Sequence, residues 1–387
     1  MKVEPAFVSR IRGLDLWRSI LLLMGVFLHA SLAGHPSEWV GVVTRKFRME
    51  TFFLISGILS QISFSKRGRN LWLKERSLQL AVPAIFGVLV LNQLWLILHR
   101  INTGINPENV RFWYQPPVMH FWFLFVLLGC SILHGFYYER YAGNIFFNKV
   151  FNRPHIAYIM IFSFLGLLLQ ASGIGLAAKL EENLIIERLI RDFSATFLAM
   201  PYYSIFYFWG VEIAKSPVEH NIVSRINYKY IILLILAFVA IFIVSAKYPI
   251  FILNRETYES PFYSENIFEI TTRAILAPIL SILIVQFAYS MKKTNSFYKF
   301  LARAGYTLYV THFVFIALAI CVGQELYGKA GFSYSTIVLV TIFSCYAMHY
   351  FIVERFKTAK FLLNGSTKSV TQMTAFAIIS KAHRKKF

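Results

Sequence analysis

The sequence predicts an all-α fold: a polytopic integral membrane helix bundle with about ten transmembrane helices and both termini in the cytoplasm. Of its 387 residues, 57% are hydrophobic and only 15% are charged, whereas soluble domains average about 25% charged residues. Long runs without a charged side chain recur along the whole chain. Because a helix of about 20 apolar residues crosses a hydrocarbon core, these runs predict membrane spans.

The predicted spans follow one another from the N-terminus to residue 353. The first is the run 19–37, which contains His29 and follows closely on Asp15 and Arg18. The other nine are 51–65, 77–99, 112–138, 154–178, 193–211, 230–246, 274–291, 304–324 and 330–353. We therefore predict one membrane domain over residues 1–356 and a basic cytoplasmic tail over residues 357–387.

The first span also has the features of a signal peptide, with a basic start, an apolar run and small residues at 31–33. Cleavage there would remove Asp15, Arg18 and His29 from the mature protein. Nine further apolar runs follow it, so we interpret the segment as an uncleaved first helix of the bundle.

The charge distribution predicts the orientation. The formal net charge is +20, which in a soluble protein would suggest nucleic-acid binding. With the N-terminus in the cytoplasm, the predicted inner segments carry 26 Lys and Arg residues and the outer loops carry 11. This bias is typical of cytoplasmic loops, so we expect contact with membrane lipid and not with nucleic acid. The three cysteines lie in apolar runs without paired spacing, and predict neither disulfides nor a metal site.

The first span carries the strongest indication of chemistry. Arg18 and His29 are eleven residues apart, about three helical turns, so they lie on nearly the same side and about 16 Å apart. Asp15 lies on the adjoining surface. An ionisable side chain inside a span normally faces the protein interior or a wet cavity. Because imidazole titrates near neutral pH, His29 is a candidate general base, although a buried hydrogen-bonded histidine has the same pattern.

The second span begins with Glu50 at its predicted outer mouth. If Glu50 approached His29, it could orient the imidazole and stabilise its protonated form. A structural ion pair is an equal alternative for this carboxylate. Ser56 and Gly57 in the same span predict a small face for close helix packing.

The loop 66–76 is the densest basic segment between spans. It is either a topology signal in contact with anionic lipid, or a phosphate-binding patch for a cytosolic anionic ligand. In the second case the binding residues would be Arg76, Lys74 and Arg69, with Arg76 best placed because it abuts the membrane.

Three more side chains are candidate substrate-binding residues. His120 and Trp122 open the fourth span at the predicted outer interface, where tryptophan is also common as an anchor. His312 lies near the middle of the ninth span and close to Tyr309, and a packing contact between these two rings is the alternative.

Four segments together resemble the membrane acyltransferase-3 family. They are the first span, with Arg18 and His29 separated by ten residues, and the motifs FRMETFFLISG at 47–57, HFWFL at 120–124 and GYTLYVTHF at 305–313. The FRMETFFLISG and HFWFL motifs resemble most the branch whose members succinylate periplasmic glucans. The four segments lie in the expected order and cover both ends of the chain.

The resemblance implies an enzyme of the bacterial inner membrane, an acyltransferase. It implies O-transfer of a succinyl or acetyl group from cytosolic acyl-CoA to a hydroxyl of an extracytoplasmic glycan such as periplasmic glucan. His29 would match the essential histidine of the family and Arg18 its arginine partner, with acyl-CoA as donor substrate and no bound cofactor or metal. The family's second arginine after span two is Gln79 here.

Two questions stay open at the level of sequence. A succinyl donor carries a carboxylate that calls for one more cation near the thioester, and Arg18, Arg48 and Arg273 are equal candidates. The alternative function is a transporter or flippase for a polar or lipid-linked glycan, since intramembrane charges also line transport cavities.

Overall fold

The computed structural model describes residues 12–32, 44, 46–103, 118–138, 156–178, 185–215, 231–232, 234–236, 239, 266–291, 295–328 and 331–366. Every regular element within these ranges is helical. The helices are α1 (Arg12–Leu32), α2 (Arg48–Arg67), α3 (Arg69–Phe86), α4 (Asn92–Thr103), α5 (Trp122–Leu133), α6 (Ile156–Ala178), α7 (Ile185–Lys215), α8 (Asn266–Ser290), α9 (Ser296–Tyr327), α10 (Tyr334–Met348) and α11 (Lys357–Asn364).

The predicted all-α bundle agrees with these helices. Nine of the ten predicted spans overlap one of these helices. Of the tenth, 230–246, the structure describes only residues 231–232, 234–236 and 239, which are helical. Within the described residues, five helical stretches are long and apolar enough to cross a membrane: Gly13–Ser31, Arg69–Asn102, Ile270–Ser290, Ser296–Tyr327 and Tyr334–Val353. The number of ten spans and the cytoplasmic location of the termini stay predictions.

Two glycines bring α2 and α7 into close contact. A Cβ atom on Gly57 of α2 would lie 1.9 Å from the carbonyl oxygen of Tyr207, and one on Gly210 of α7 would lie 2.1 Å from that of Leu54. Each helix thus contributes a glycine against the other's backbone, which is how small residues bring membrane helices together. The predicted small face at Gly57 is confirmed.

Apolar side chains lie both inside the bundle and on its outer surface. Helix α1 packs against α2, α8 and α9 and buries Leu14, Leu21 and Val26. On the outer surface, Phe343 is 75% exposed and Leu339 is 66% exposed. Exposed apolar faces of this kind are expected where helices contact lipid, because hydrocarbon requires no polar surface.

Helices α3 and α4 follow one another along one helical stretch that contains a π-helical turn. Because α3 begins at Arg69, the segment 66–76, predicted to be a loop, is helical except at Gly68. Pro83 lies inside α3, and a π-helical turn at Gly87–Leu91 joins α3 to α4. Proline has no N–H, so the carbonyl four residues earlier, that of Gln79, has no partner within the helix. The hydroxyl of Tyr306 on α9 donates to this carbonyl at 2.9 Å, which fixes α9 against α3.

The start of the predicted tail packs on the bundle. Helix α11 (Lys357–Asn364) contacts α3 and buries Leu363. The hydroxyl of Thr307 on α9 donates to Asn364 Oδ1 at 3.2 Å. Residues 367–387 lie outside the part of the chain that the structure describes.

Candidate functional site

Three histidines from distant parts of the sequence meet around one aromatic ring. The ring centroids of His29 and His312 are 5.2 Å apart, and those of His120 and His312 are also 5.2 Å apart. Phe313 lies 4.4 Å from His29 and stacks on His120 at 4.1 Å with an interplanar angle of 4°. We refer to His29, His120, His312 and Phe313 as the histidine cluster. In the sequence, these histidines belong to three different predicted spans, and the structure brings them together.

Hydrogen bonds define how His312 can act. Its Nδ1 lies 2.6 Å from the carbonyl oxygen of Tyr309, and because a carbonyl only accepts, this nitrogen carries the proton. Nε2 of His312 is therefore an acceptor, and it is buried without a hydrogen-bond partner. Both ring nitrogens of His120 are also buried without a hydrogen-bond partner, and in the neutral ring one of them is a donor and the other an acceptor. His29 is partly exposed, so the cluster offers nitrogen atoms suited to a ligand hydroxyl.

The backbone around the cluster is held by α9. The hydroxyl of Tyr309 donates to the backbone carbonyl of His120, which ties the turn before α5 to α9. Tyr309 and His312 are neighbours on one face of α9, as the sequence predicts from their spacing. This bond positions His120 even though its side chain makes no hydrogen bond of its own.

A guanidinium group lies beside the histidine cluster. Nη1 of Arg48, at the start of α2, is 2.8 Å from the position that a Cβ on Gly25 would occupy. Gly25 precedes His29 by four residues, so both lie on the same face of α1. The charge of Arg48 acts electrostatically on His312 and Tyr309. Arg48 thus places a positive charge one helical turn from the predicted base.

Glu50 lies in a buried ion pair. It is fully buried, and its Oε1 accepts from Nε of Arg273 at 2.6 Å and from the hydroxyl of Tyr202 at 2.8 Å. Nη2 of Arg273 also donates to the Tyr203 hydroxyl at 2.7 Å. Oε2 of Glu50 makes no hydrogen bond, so neither oxygen is bonded to His29 in this structure. The catalytic role of Glu50 stays a prediction, while its structural pairing is observed.

Trp122 belongs to the same aromatic region as that ion pair. Its ring centroid is 5.2 Å from that of Tyr203, and Tyr203 stacks on Phe53 at 4.8 Å. Trp122 is partly buried. The structure therefore separates the two predicted substrate-binding residues of the HFWFL motif: His120 joins the histidine cluster and Trp122 joins the tyrosines beside Arg273.

The other end of α1 brings two arginines together. Arg18 and Arg76 interact electrostatically with each other and with the phenol of Tyr306. Nε of Arg76 is buried without a hydrogen-bond partner, and among the described residues neither arginine forms an ion pair with a carboxylate. Tyr306 is held in place by its bond to the Gln79 carbonyl. We refer to Arg18, Arg76 and Tyr306 as the arginine site.

The remaining predicted residues lie outside both sites or beside them. Lys74 and Arg69 are exposed, and the guanidinium carbon of Arg69 lies 4.9 Å from the centre of the Phe136 ring. Asp15 is buried one turn before Ser19, whose hydroxyl donates to the Asp15 carbonyl at 3.2 Å. Of the three predicted basic ligands, Arg76 alone belongs to the arginine site.

From the sequence, Tyr306 and Phe313 are assigned to no site. Arg48 is named there only as a candidate cation, and its position beside Gly25 is not predicted. Tyr306 and Phe313 are seven residues apart in the GYTLYVTHF motif, so they share one face of α9. This seven-residue spacing could have predicted that Tyr306 and Phe313 lie on the same face of α9. The place of Arg48 depends on contact between α1 and α2, for which the sequence contains no periodic signal. Within the described ranges, no group of three His, Cys, Asp or Glu residues could hold a metal ion.

Comparisons with known proteins agree with the motifs. The sequence model of a family described as an acyltransferase domain matches residues 11–350. "Glucans biosynthesis protein C" of Escherichia coli strain SMS-3-5 is 25% identical over 166 residues, which cover 37% of this chain and 43% of that protein. The proteins of the same name from strains SE11 and 55989 match with the same identity and coverage. Each match thus spans less than half of the relative. No solved structure matches this chain.

Proposed function

Because this chain belongs to the acyltransferase-3 family, whose model matches residues 11–350, we propose that it moves an acyl group from cytosolic acyl-CoA to a hydroxyl of an extracytoplasmic glycan. The acyl group in this proposal is succinyl or acetyl, and the membrane is the bacterial inner membrane. The relatives named for glucan biosynthesis support a glucan as the acceptor. The supporting observation is that one helix, α1, carries residues of both sites: Arg18 near its start and His29 near its end.

The arginine site suits the donor. Coenzyme A carries phosphate groups, and guanidinium groups bind phosphate through paired, charge-assisted N–H donors. The charges of Arg18 and Arg76 repel each other, and a bound anion would offset this repulsion. Lys74 and Arg69, exposed at the same end, extend the positive surface. In the orientation predicted from the loop charges, this end faces the cytosol.

The histidine cluster suits the reaction. The hydroxyl oxygen of the acceptor attacks the thioester carbonyl carbon while His29 takes the hydroxyl proton. A C–O bond forms, the C–S bond then breaks, and the thiolate of CoA takes a proton, so that acyl-CoA and alcohol become ester and free CoA. Arg18 lies about 16 Å from His29 along α1. The extended pantetheine arm of CoA is suited to bridging a separation of that size.

The remaining predicted residues have roles around this step. The unbonded ring nitrogens of His120 and His312 would hold the acceptor hydroxyls, and Trp122 would stack on a sugar ring. Asp15 would fix the start of α1 beside the arginine site. Glu50 holds Arg273 and Tyr202 in place, and it would act on His29 only through that network.

The test compares glycans extracted from cells that carry the wild-type protein, a His29→Ala variant or a deletion. Mass spectrometry would identify any succinyl or acetyl group that both mutants lose. His99→Ala is the matched control, because His99 stacks on Trp95 at 4.9 Å outside the histidine cluster. Decoration equal in wild type and His29→Ala would contradict the proposal. Unmodified glycan retained on the cytosolic side in the deletion would favour the transporter.

A further inference from the structure

A line of functional groups runs along one face of α1 between the arginine site and the histidine cluster. Arg18, Gly25 and His29 occupy positions i, i+7 and i+11, which share one helical face. The rise of the helix places Gly25 about 10 Å beyond Arg18 and about 6 Å before His29. The guanidinium of Arg48 fills the space left by the missing side chain of Gly25.

The environment of Arg48 favours an electrostatic role. Arg48 is partly buried, and its charge acts on the side chains of His312, Tyr309 and Tyr203. A charge inside an apolar bundle acts more strongly than one in water, because the effective dielectric constant is lower. The other arginine of this region, Arg273, is bound to Glu50. Arg48 places a positive charge against the face of α1 that carries Arg18 and His29.

We propose that Arg48 stabilises the oxyanion of the acyl-transfer intermediate, a role that rests on the function proposed above. As the acceptor hydroxyl attacks, the electron pair of the carbonyl π bond moves to the carbonyl oxygen, and His29 takes the proton. The guanidinium N–H groups of Arg48 donate to this oxygen. The pair then returns to re-form the carbonyl, the C–S bond breaks, and the thiolate leaves with a proton.

The chemistry of guanidinium suits this task. It is always protonated in proteins and presents several N–H donors in a fixed plane. Fixed donors directed at a developing oxyanion are among the largest contributions to catalysis, and loss of one donor typically costs about 10²–10³ in kcat. Gly25 is part of the arrangement, because a methyl group there would occupy the space next to Nη1.

The experiment measures transfer by the purified full-length protein in lipid nanodiscs. The donors are succinyl-CoA and acetyl-CoA, supplied separately, and the acceptor is a short glucan oligosaccharide. For Arg48→Gln we expect kcat to fall about 100-fold with both donors, while KM for acyl-CoA stays within about two-fold. Arg48→Lys keeps the charge but loses the planar donors, so its kcat should lie between that of the wild-type protein and that of Arg48→Gln.

Gly25→Ala is the second, independent variant, because it displaces the guanidinium without removing it. We expect a smaller fall in kcat, again with both donors and without loss of thermal stability. Unchanged kcat in Arg48→Gln would overturn the proposal. So would a loss confined to succinyl-CoA, because Arg48 would then bind the succinyl carboxylate. If the wild-type protein transferred neither succinyl nor acetyl, the proposed function itself would fail. This result differs from the two Arg48→Gln results that would overturn only the role of Arg48.

Discussion

The imidazole rings of His29 and His312 lie 5.2 Å apart, centroid to centroid, although 283 residues separate them in sequence. The first lies near the end of α1 and the second within α9. A hydroxyl group at the edges of the two rings could donate its proton to a nitrogen of one ring and remain close to the other. In the proposed reaction, this pair would bind and deprotonate the acceptor alcohol.

Substitution of His29 tests the general base. We expect His29→Gln to lower kcat for acyl transfer by about 10²–10⁴-fold, because glutamine cannot take the proton. The measurement is release of free CoA by the protein in nanodiscs. His99→Gln serves as the matched control and should keep wild-type kcat. A His29→Gln protein with wild-type turnover would remove this histidine from the mechanism.

Substitution of His312 tests the second ring of the pair. His312→Gln keeps polarity but loses the geometry in which Nδ1 donates to Tyr309 and Nε2 accepts. We expect KM for the glucan acceptor to rise about ten-fold, with KM for acyl-CoA unchanged, because binding of the hydroxyl is lost. Kinetics with each substrate varied in turn measure this split. A change confined to acyl-CoA would assign His312 to the donor instead.

The arginine site predicts how the donor binds. Arg76→Gln and Arg18→Gln should each raise KM for acyl-CoA about ten-fold, because each removes a charged donor from phosphate. The effect should weaken as salt rises, since screening already reduces the attraction. Arg355→Gln is the control, an exposed arginine that stacks on Phe351. Equal KM values in Arg76→Gln and Arg355→Gln would remove Arg76 from donor binding.

The ion pair between Glu50 and Arg273 predicts a loss of stability that can be reversed. Removing one partner of a buried pair leaves an uncompensated charge and typically costs about 3–5 kcal/mol. Glu50→Gln should therefore lower the thermal unfolding temperature in detergent, and Glu50→Gln combined with Arg273→Met should recover much of it. If the double variant is stable but inactive, the pair also serves catalysis. An unchanged unfolding temperature in Glu50→Gln would contradict the structural role.

The glycine contact between α2 and α7 predicts a difference between two similar substitutions. Gly57→Ala places a methyl group against the Tyr207 backbone, which can yield only if the helices separate. Gly129→Ala meets the flexible end of Met200 at 2.9 Å, which can rotate away. Gly57→Ala should therefore lower the unfolding temperature more than Gly129→Ala. The opposite order would place the tight contact elsewhere.

The approximate positions of most described helices and the relation of Arg18 to His29 could be predicted from the sequence. Both depend on properties of one continuous segment, namely charge-free length and the period of a helix. The four family motifs added the reaction class in the same way, since each is a short local pattern. The start of α9 is equally local, because the Asn295 side chain accepts from the Tyr298 N–H at 2.9 Å.

The tertiary structure decided which of these segments meet. The sequence allows Glu50 to approach His29, but the packing of α2 against α8 places its Oε1 in a hydrogen bond with Arg273. The packing of α1 against α9 joined His29 to His312, and the missing side chain of Gly25 admitted the guanidinium of Arg48. Contacts between helices depend on crossing geometry and on the shape of both surfaces. A helical period gives the face on which a residue lies, and only packing gives its neighbour.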